Sequence, residues 1–218
     1  MVKQIILKMK KTIIPILIAA PLLFAACGGS EAETEVTDAD STIVETEEVE
    51  VTVTNYSVDT ASSIVNWMAF NAGEIDHQGT VKALDGSFEI TKTGEDMEVT
   101  AASLNIDLNS INEESEKLVG HLMSPDFFDV NQFATASFSF DRHEDGMVYG
   151  TATIIDKELP VEAPVTISAS EEGVTIEVGE FKLDFSALEM PFYVEDVKAP
   201  EEEQHDPNIG FTSTIVGK

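Results

Sequence analysis

Apolar and polar residues alternate along this chain from about residue 51 to its last residues. Successive side chains of a β-strand point to opposite faces of a sheet, so a period of two predicts strands with one buried face. The pattern predicts an all-β domain of about eight or nine strands. The predicted strand segments are 51–58, 63–70, 79–84, 87–90, 97–108, 134–140, 147–155, 159–169, 174–183 and 209–216.

Glycine-containing dipeptides separate these segments. Gly94, Gly146 and Gly173 lie where hairpin turns require a positive φ, which glycine adopts without a steric penalty. Asp85 and Gly86 interrupt one segment and predict either a tight turn or a β-bulge. We therefore expect most neighbouring strands to be joined by short turns.

Residues 110–123 break the alternation. Ser110 and Glu113 have the spacing of a capping box, and Pro125 is expected to end a helix that starts there. We predict one short helix near residues 110–123. Antiparallel strands with a single helix favour a closed eight-stranded barrel with a lid or plug, because closure removes the sheet edges that promote aggregation. An open β-sandwich is the alternative.

The first 26 residues have the layout of an export signal. Four lysines precede an apolar stretch of roughly 14 residues, which is shorter than a membrane-spanning helix. Small residues stand directly before Cys27, as in the bacterial lipobox, where the cysteine is acylated and the peptide is cut before it. A conventional cleavage after Ala26 is the alternative. Because Cys27 is the only cysteine, no internal disulfide can form, and lipidation gives this residue a purpose.

Residues 27–50 are acidic and contain no basic or aromatic residue, which is typical of a disordered linker. The predicted organisation is a lipoprotein signal peptide at 1–26, the lipidated cysteine and linker at 27–50, and a barrel domain at 51–218. We predict a protein of the cell envelope that is lipid-anchored to a membrane, at the periplasmic face or the cell surface. A second interpretation is that the acidic residues after Cys27 act as a targeting signal for export to the cell surface.

Negative charge dominates the composition. Without Lys3, Lys8, Lys10 and Lys11, eight basic residues would face 41 acidic ones, a formal charge of −33. Such a chain is repelled by phosphate backbones, so nucleic acid is excluded as a partner. Anionic lipid headgroups repel it as well, so membrane attachment would depend on the acyl chains.

Three consecutive segments carry a family resemblance: residues 104–108 read LNIDL, residues 116–130 read EKLVGHLMSPDFFDV, and residues 133–140 read FATASFSF. Their order of strand, helix and strand resembles the YceI-like family. Residues 56–59 and 62–65 are similar to the first hairpin of that family. Residues 77–81 with Gly86, residues 150–154 and residues 162–165 are similar to its later strands. The similarity spans about residues 55–216.

The resemblance implies a lipocalin-like, eight-stranded antiparallel barrel that holds a long polyisoprenoid chain in its lumen. A barrel of eight strands is just wide enough to be filled by side chains or to hold one slim ligand. The chain departs from the family pattern at two places. Val119 and Gly120 replace the usual Arg-Asp before the HL pair, and the later DR followed by an aromatic-glycine pair appears as Asp184-Phe185 and Leu188-Glu189.

Large aromatic residues supply either a closed core or the wall of a tunnel. We predict a ligand-binding lumen, with Trp67, Phe138 and Phe140 as the first candidates for its wall. His77 and His121 match family positions and could meet, where they would orient a ligand headgroup or bind Zn²⁺. A structural, hydrogen-bonded role for both histidines is the favoured interpretation. The predicted ligand-binding residues are Trp67, Phe70, His77, Phe88, His121, Phe128, Phe138, Phe140, Phe181 and Phe185.

No catalytic motif is recognised, and the sequence predicts no catalytic residue, metal or cofactor. His143 and His205 are expected to face solvent. The leading hypothesis is an anchored module that binds a long isoprenoid, quinone-like or other apolar lipid. A scaffold whose acidic exterior docks a partner or cations is the alternative, and an envelope enzyme has only His77 and His121 to support it. The oligomeric state stays open, with a homodimer as one candidate.

Overall fold

A computed structural model describes residues 49–218. These residues form an antiparallel β-barrel in which eight strand positions close into a ring. The prediction of an eight-stranded antiparallel barrel is therefore confirmed, and the alternative of an open sandwich is wrong. The strands are β1 (Val51–Ser57), β2 (Ile64–Asn71), β3 (Glu74–Thr93), β4 (Asp96–Asn112), β5 (Thr135–Glu144), β6 (Met147–Ile154), β7 (Lys157–Ser170), β8 (Gly173–Asp184) and β9 (Asn208–Gly217).

Nine strands fill eight positions because β1 and β2 share one. Both pair antiparallel with β3, β1 along residues 87–93 and β2 along residues 74–81. They run in the same direction, one after the other, and do not form the hairpin that the family resemblance implied. The break between them is a turn in which Asp59 accepts hydrogen bonds from the backbone amide of Ala61 and the hydroxyl of Ser62, at 3.1 and 2.8 Å.

The longest strand, β3, crosses Asp85 and Gly86 without turning back. Its register against β4 shifts between Ala83 and Asp85, so Leu84, directly before this dipeptide, is the extra residue of a β-bulge, and no tight turn forms. The bulge bends the strand so that its first half pairs with β2 and its second half with β1. The two predicted segments 79–84 and 87–90 are therefore parts of one strand.

The hairpin turns follow the sequence prediction. Gly94, Gly146 and Gly173 have φ angles of 63°, 75° and 145°. Gly94 and Gly146 lie between consecutive strands, and Gly173 is the first residue of β8. These turns define the lower end of the barrel. The upper end carries the β2–β3 and β6–β7 turns and the two long connections, β4 to β5 and β8 to β9.

Helix α1 (Glu116–Leu122) begins later than predicted. Ser115 is the N-cap, and its hydroxyl accepts from the amide of Leu118 at 3.3 Å. Ser110 belongs to β4, where its hydroxyl accepts from the amide of Lys82 at 2.8 Å, so the predicted capping box does not form. The carboxylate of Glu113 accepts from the amide of Ser115 instead.

A second helical connection follows β8 and was not predicted. It contains a 3₁₀ turn at Phe185–Leu188, helix α2 (Pro191–Asp196) and a second 3₁₀ turn at Glu201–Glu203. Leu188 and Met190 are 1% and 0% exposed, so this connection is anchored in the barrel core. Residues 113–134 and 185–207 together form what we call the cap.

No helix within residues 49–218 is long and apolar enough to span a membrane. The predicted signal peptide, the lipidation site at Cys27 and nearly all of the predicted linker lie outside the described residues. These three interpretations therefore stay predictions.

Candidate functional site

The barrel encloses a cavity of about 400 Å³ whose wall is mainly apolar. Pockets for small apolar ligands commonly measure 300–1,000 Å³ and carry a few polar groups that orient the ligand. Alternate residues of the strands form this wall, as on β2, where Val65, Trp67 and Ala69 all line the cavity. The lumen is therefore large enough to be a binding site.

Nine of the ten predicted ligand-binding residues line the cavity: Trp67, Phe70, His77, Phe88, His121, Phe128, Phe138, Phe181 and Phe185. The exception is Phe140, which packs against a cluster of buried residues at the lower end and is not part of the cavity wall. Its strand has a bulge between Phe140 and Arg142, which changes the register there. Ligand contact by any of these residues stays a prediction.

Glycines on neighbouring strands explain how bulky aromatic side chains leave this space open. A Cβ atom at Gly79 would lie 2.8 Å from Cε2 of Trp67, and one at Gly150 would lie 2.4 Å from Cε2 of Phe138. Each ring therefore lies over a bare glycine backbone. Rings that lie along the wall in this way occupy less of the lumen than rings that project across it.

A similar pair of an aromatic ring and a glycine lies in the lower half of the barrel. Phe88 is 3% exposed and stacks on Tyr56 with ring centroids 5.3 Å apart. A Cβ atom at Gly217 would lie 2.3 Å from Cζ of Phe88. The Phe88 ring thus fills the space that a side chain at residue 217 would take.

The cap forms the upper end of the cavity through an aromatic cluster. Phe127 and Phe192 stack with centroids 4.5 Å apart, and His121 meets both rings edge-on. The amide of Phe192 donates to the carbonyl of Asp126 at 3.0 Å. These contacts join the two connections of the cap, although α1 itself has no fully buried residue.

His77 and His121 line the same cavity but lie beside different carboxylates. Nδ1 of His77 lies 3.4 Å from Oε1 of Glu113, while Nε2 of His121 lies 3.6 Å from Oδ2 of Asp126. Among residues 49–218 no group of three His, Cys, Asp or Glu side chains has the geometry to hold a metal ion. The structure therefore gives these histidines carboxylate partners and shows no direct contact between them.

The other two histidines differ from each other. His205 is 60% exposed, as expected, but it also lines the cavity, and its Nδ1 lies 2.7 Å from Oδ1 of Asp196. The expectation for His143 is wrong. Its Nδ1 accepts from the amide of Val99 at 3.2 Å, and its Nε2 is buried without a hydrogen-bond partner among the described residues. His143 therefore links β5 to β4 near the lower end.

Within residues 49–218, the acidic and histidine side chains of the cavity wall lie at the upper end: Asp76, Asp206 and the three histidines. No lysine or arginine of that range lines the cavity. Tyr193 also lines it and is 7% exposed. Burial raises the pKa of the Tyr193 hydroxyl, and Asp196, Asp206 and Asp184 raise it further, so this group stays protonated.

Tyr193 and Asp206 were missed as site residues. Both lie in the long connection after β8, where the alternation of strand residues ends. The sequence feature that could have indicated this helical connection is the run Met190 to Tyr193, which combines a proline with two aromatic residues. It interrupts the alternation of apolar and polar residues. A helix start with proline at its first position would account for it.

Comparisons with known proteins give a consistent assignment. The sequence profile of the YceI-like domain matches residues 30–203. BcnA of Burkholderia cenocepacia has a similar crystal structure, with 18% sequence identity, a TM-score of 0.56, and coverage of 74% of this chain and 99% of that one.

A polyisoprenoid-binding domain from Saccharophagus degradans, implicated in plant cell wall breakdown, is 14% identical with a TM-score of 0.55. The alignment covers 75% of this chain and 97% of that domain. No curated protein sequence matches the chain. At these identities the solved structures support the fold, and the profile match supports the family.

Proposed function

The chain belongs to the YceI-like family, and from this we propose that it is a lipid-anchored protein of the cell envelope that binds a long apolar ligand in its barrel lumen. The ligand class we propose is a polyisoprenoid or quinone-like lipid. The role is binding or carrying, without chemistry on the ligand.

The observation that carries this proposal is the apolar cavity of about 400 Å³ inside the barrel. Burial of apolar surface contributes roughly 25 cal/mol per Å², so a slim hydrocarbon chain gains most when the wall surrounds it on all sides. The aromatic rings lying over Gly79 and Gly150 supply such a wall without filling it. A solved relative by fold is described as polyisoprenoid-binding, which agrees with this ligand class.

The envelope location rests on the sequence. A basic and apolar leader precedes Cys27, which stands after small residues and is the only cysteine. One acyl chain gives marginal membrane binding, whereas the two or more chains of a lipoprotein cysteine give stable anchoring. The acidic residues that follow would keep the barrel away from anionic headgroups.

The ligand is tested with the full-length chain carrying Cys27→Ser, which should leave the membrane without detergent. The protein is purified from its own host, and native mass spectrometry is combined with lipid extraction. We expect a bound species of defined mass. A protein that is empty, and stays empty after exposure to polyprenyl lipids and quinones, would overturn the proposal and favour the acidic scaffold.

A matched pair of variants ties the bound species to the lumen. Ala136 lines the cavity and is 9% exposed, whereas Ala101 is an exposed residue of β4. Ala136→Phe should expel the ligand because the new ring occupies the lumen. Ala101→Phe should retain it. Thermal melting of both variants checks that each one is folded.

The anchor is tested separately by metabolic labelling with palmitate. The wild-type chain should incorporate the label and sediment with membranes, and Cys27→Ser should do neither. Equal behaviour of the two proteins would remove the lipoprotein part of the proposal and leave the ligand part standing.

A further inference from the structure

The first half of β1 is a free edge of the barrel sheet. Pairing of β1 with the end of the last strand stops at Ser57, which donates to the carbonyl of Lys218 at 3.1 Å and accepts from its amide at 3.0 Å. Within residues 49–218, the backbone of residues 51–56 pairs with β3 alone. The ring of strands is therefore open beside this half of β1.

The backbone groups that face the open side can be identified from the neighbouring hydrogen bonds. The amide of Val58 donates to Gly86 of β3 at 3.0 Å, whereas Ser57 pairs on the opposite side. The N–H and C=O groups of successive strand residues alternate in direction. Val51, Val53 and Asn55 therefore direct their backbone groups away from β3, about 7 Å apart along the strand.

The usual protection of an edge strand is missing from β1. Natural proteins protect such edges with charged side chains, prolines or β-bulges. Residues 51–57 read VTVTNYS and contain no charged residue and no proline, in a chain in which 24% of the residues are charged. Their register with β3 runs without a bulge, and Val51 and Asn55 are exposed. This edge can therefore accept another strand.

The other edge of the same part of the sheet is protected. Strand β4 pairs with β5 over residues 103–107, which leaves its first residues beside open space. Asp96 and Glu98 are exposed there, and the amide of Val99 already donates to Nδ1 of His143 at 3.2 Å. The contrast with β4 identifies β1 as the edge that is suited to pairing.

We propose that this edge pairs antiparallel with β1 of a second copy of the chain. With a two-fold axis at Val53, each Val53 faces its counterpart and each Val51 faces Asn55 of the other copy. Every free N–H then lies opposite a free C=O, which gives about six backbone hydrogen bonds between the copies. The interface is isologous, as in most dimers, and is independent of what the lumen holds.

Charge favours this occupant and this register. Two copies with a formal charge of −29 each repel one another, so they approach most easily through an uncharged surface. Like charges directly opposite each other destabilise a strand pair. In the register centred on Val53, Glu50 lies opposite Tyr56, so no acidic residues of the two β1 strands face each other. The short ladder buries little surface, and we expect a weak, concentration-dependent dimer.

The register is tested by disulfide formation on the full-length chain carrying Cys27→Ser, which has no cysteine left. Val53→Cys adds a single thiol that would face its own counterpart, with Cα atoms about 5.5 Å apart, a separation that a disulfide spans. We expect mild oxidation to give a covalent dimer. Asn55→Cys is the matched control on the same edge. Its counterpart would lie about 14 Å away, four residues along the strand, so this variant should stay monomeric on a denaturing gel.

The strength of the dimer is tested by sedimentation equilibrium with and without Val53→Pro. Proline removes the two central hydrogen bonds of the interface and leaves the ladder with β3 intact, because this N–H faces away from β3. The dissociation constant should rise at least about tenfold. Thermal melting checks that the variant is folded. If it is not, the two cysteine variants decide alone.

Three results would overturn the proposal. The first is a chain that sediments as a monomer at every concentration and forms no disulfide at residue 53, which would leave the edge to a different partner. The second is equal disulfide formation at residues 53 and 55. The third is a dimer that a folded Val53→Pro variant retains unchanged, since the copies would then meet through another surface.

Discussion

Substitution of Gly150 by alanine tests whether the aromatic side chains need the glycines opposite them. The added Cβ would lie 2.4 Å from Cε2 and 2.7 Å from Cζ of Phe138, and 2.4 Å from the carbonyl oxygen of Ser139. Favourable contacts between carbon atoms have separations of about 3.5–4.0 Å. Both the ring and the backbone of β5 therefore have to move by about an ångström.

The expected cost follows from these contacts. Overpacking a core typically costs about 1–3 kcal/mol, and a backbone oxygen yields less easily than a ring, which places this site in the upper part of the range. Alanine also lowers the conformational entropy of the unfolded chain relative to glycine, and this stabilises the folded state by about 0.4–1 kcal/mol. A net loss of about 2 kcal/mol should lower the melting temperature by about 4–8 °C in a domain of this size.

The assay is thermal unfolding followed by circular dichroism, with Gly120→Ala as the matched control. Gly120 lies in α1, and a Cβ atom there would meet nothing within 4 Å. Alanine is favoured over glycine in a helix by about 1 kcal/mol, so this control should melt higher than wild type. A Gly150→Ala variant that melts at or above the wild-type temperature would refute the account of the cavity wall.

A double variant separates the two contacts. Phe138→Leu removes the ring, so its combination with Gly150→Ala should be less destabilising than the sum of the single changes. The loss of stability that Gly150→Ala still causes in the Phe138→Leu background then comes from the contact of the added Cβ with the carbonyl oxygen of Ser139. If the two changes are additive, the ring of Phe138 does not occupy the space over Gly150.

Two further predictions concern the turn between β1 and β2 and the anchoring of the cap. The hydrogen bond from Lys218, at 2.5 Å, and the donors of the turn after β1 lower the pKa of Asp59 from 3.8 to about 2. The contribution of the ionised Asp59 carboxylate to stability is present above the pKa of the unfolded state and is lost as the pH falls through about 2. The difference in melting temperature between wild type and Asp59→Asn should therefore shrink between pH 4 and pH 2. A constant difference would refute this. Met190→Ala should cost about 2–5 kcal/mol in urea unfolding because Met190 is fully buried, whereas Val194→Ala on the exposed side of α2 should have little effect; equal effects would show that Met190 does not anchor the cap.

The strands were predictable because their signal is local. Each one alternates along its own sequence, and Gly94, Gly146 and Gly173 mark the turns with the positive φ that they adopt. The error at β1 and β2 has a different origin. Two segments that follow each other through a polar turn look like a hairpin in sequence, and the bend in β3 that places both beside it is a long-range property of the barrel.

The start of α1 shows a competition between two local patterns. Ser110 and Glu113 have the spacing of a capping box, but the hydroxyl of Ser110 is used by the β3–β4 ladder through the amide of Lys82. Ser115 then provides the cap that Ser110 cannot. Strand pairing therefore extends β4 to Asn112 and shortens the helix. This outcome depends on a strand about thirty residues away, so the local helix and strand propensities of the sequence do not predict it.

The candidate site was predictable in its members but not in its shape. Aromatic residues on inward positions indicate a core or a tunnel equally well, since both are built from the same side chains. What decides between them is the residue that each ring meets on the next strand: Trp67 meets Gly79, and Phe138 meets Gly150. These pairs are set by strand register, so the lumen of this barrel depends on glycines that no single-strand pattern distinguishes from ordinary turn or bulge residues. It follows that a YceI-like sequence in which larger residues replace these glycines should have a smaller lumen, even if every aromatic residue is retained.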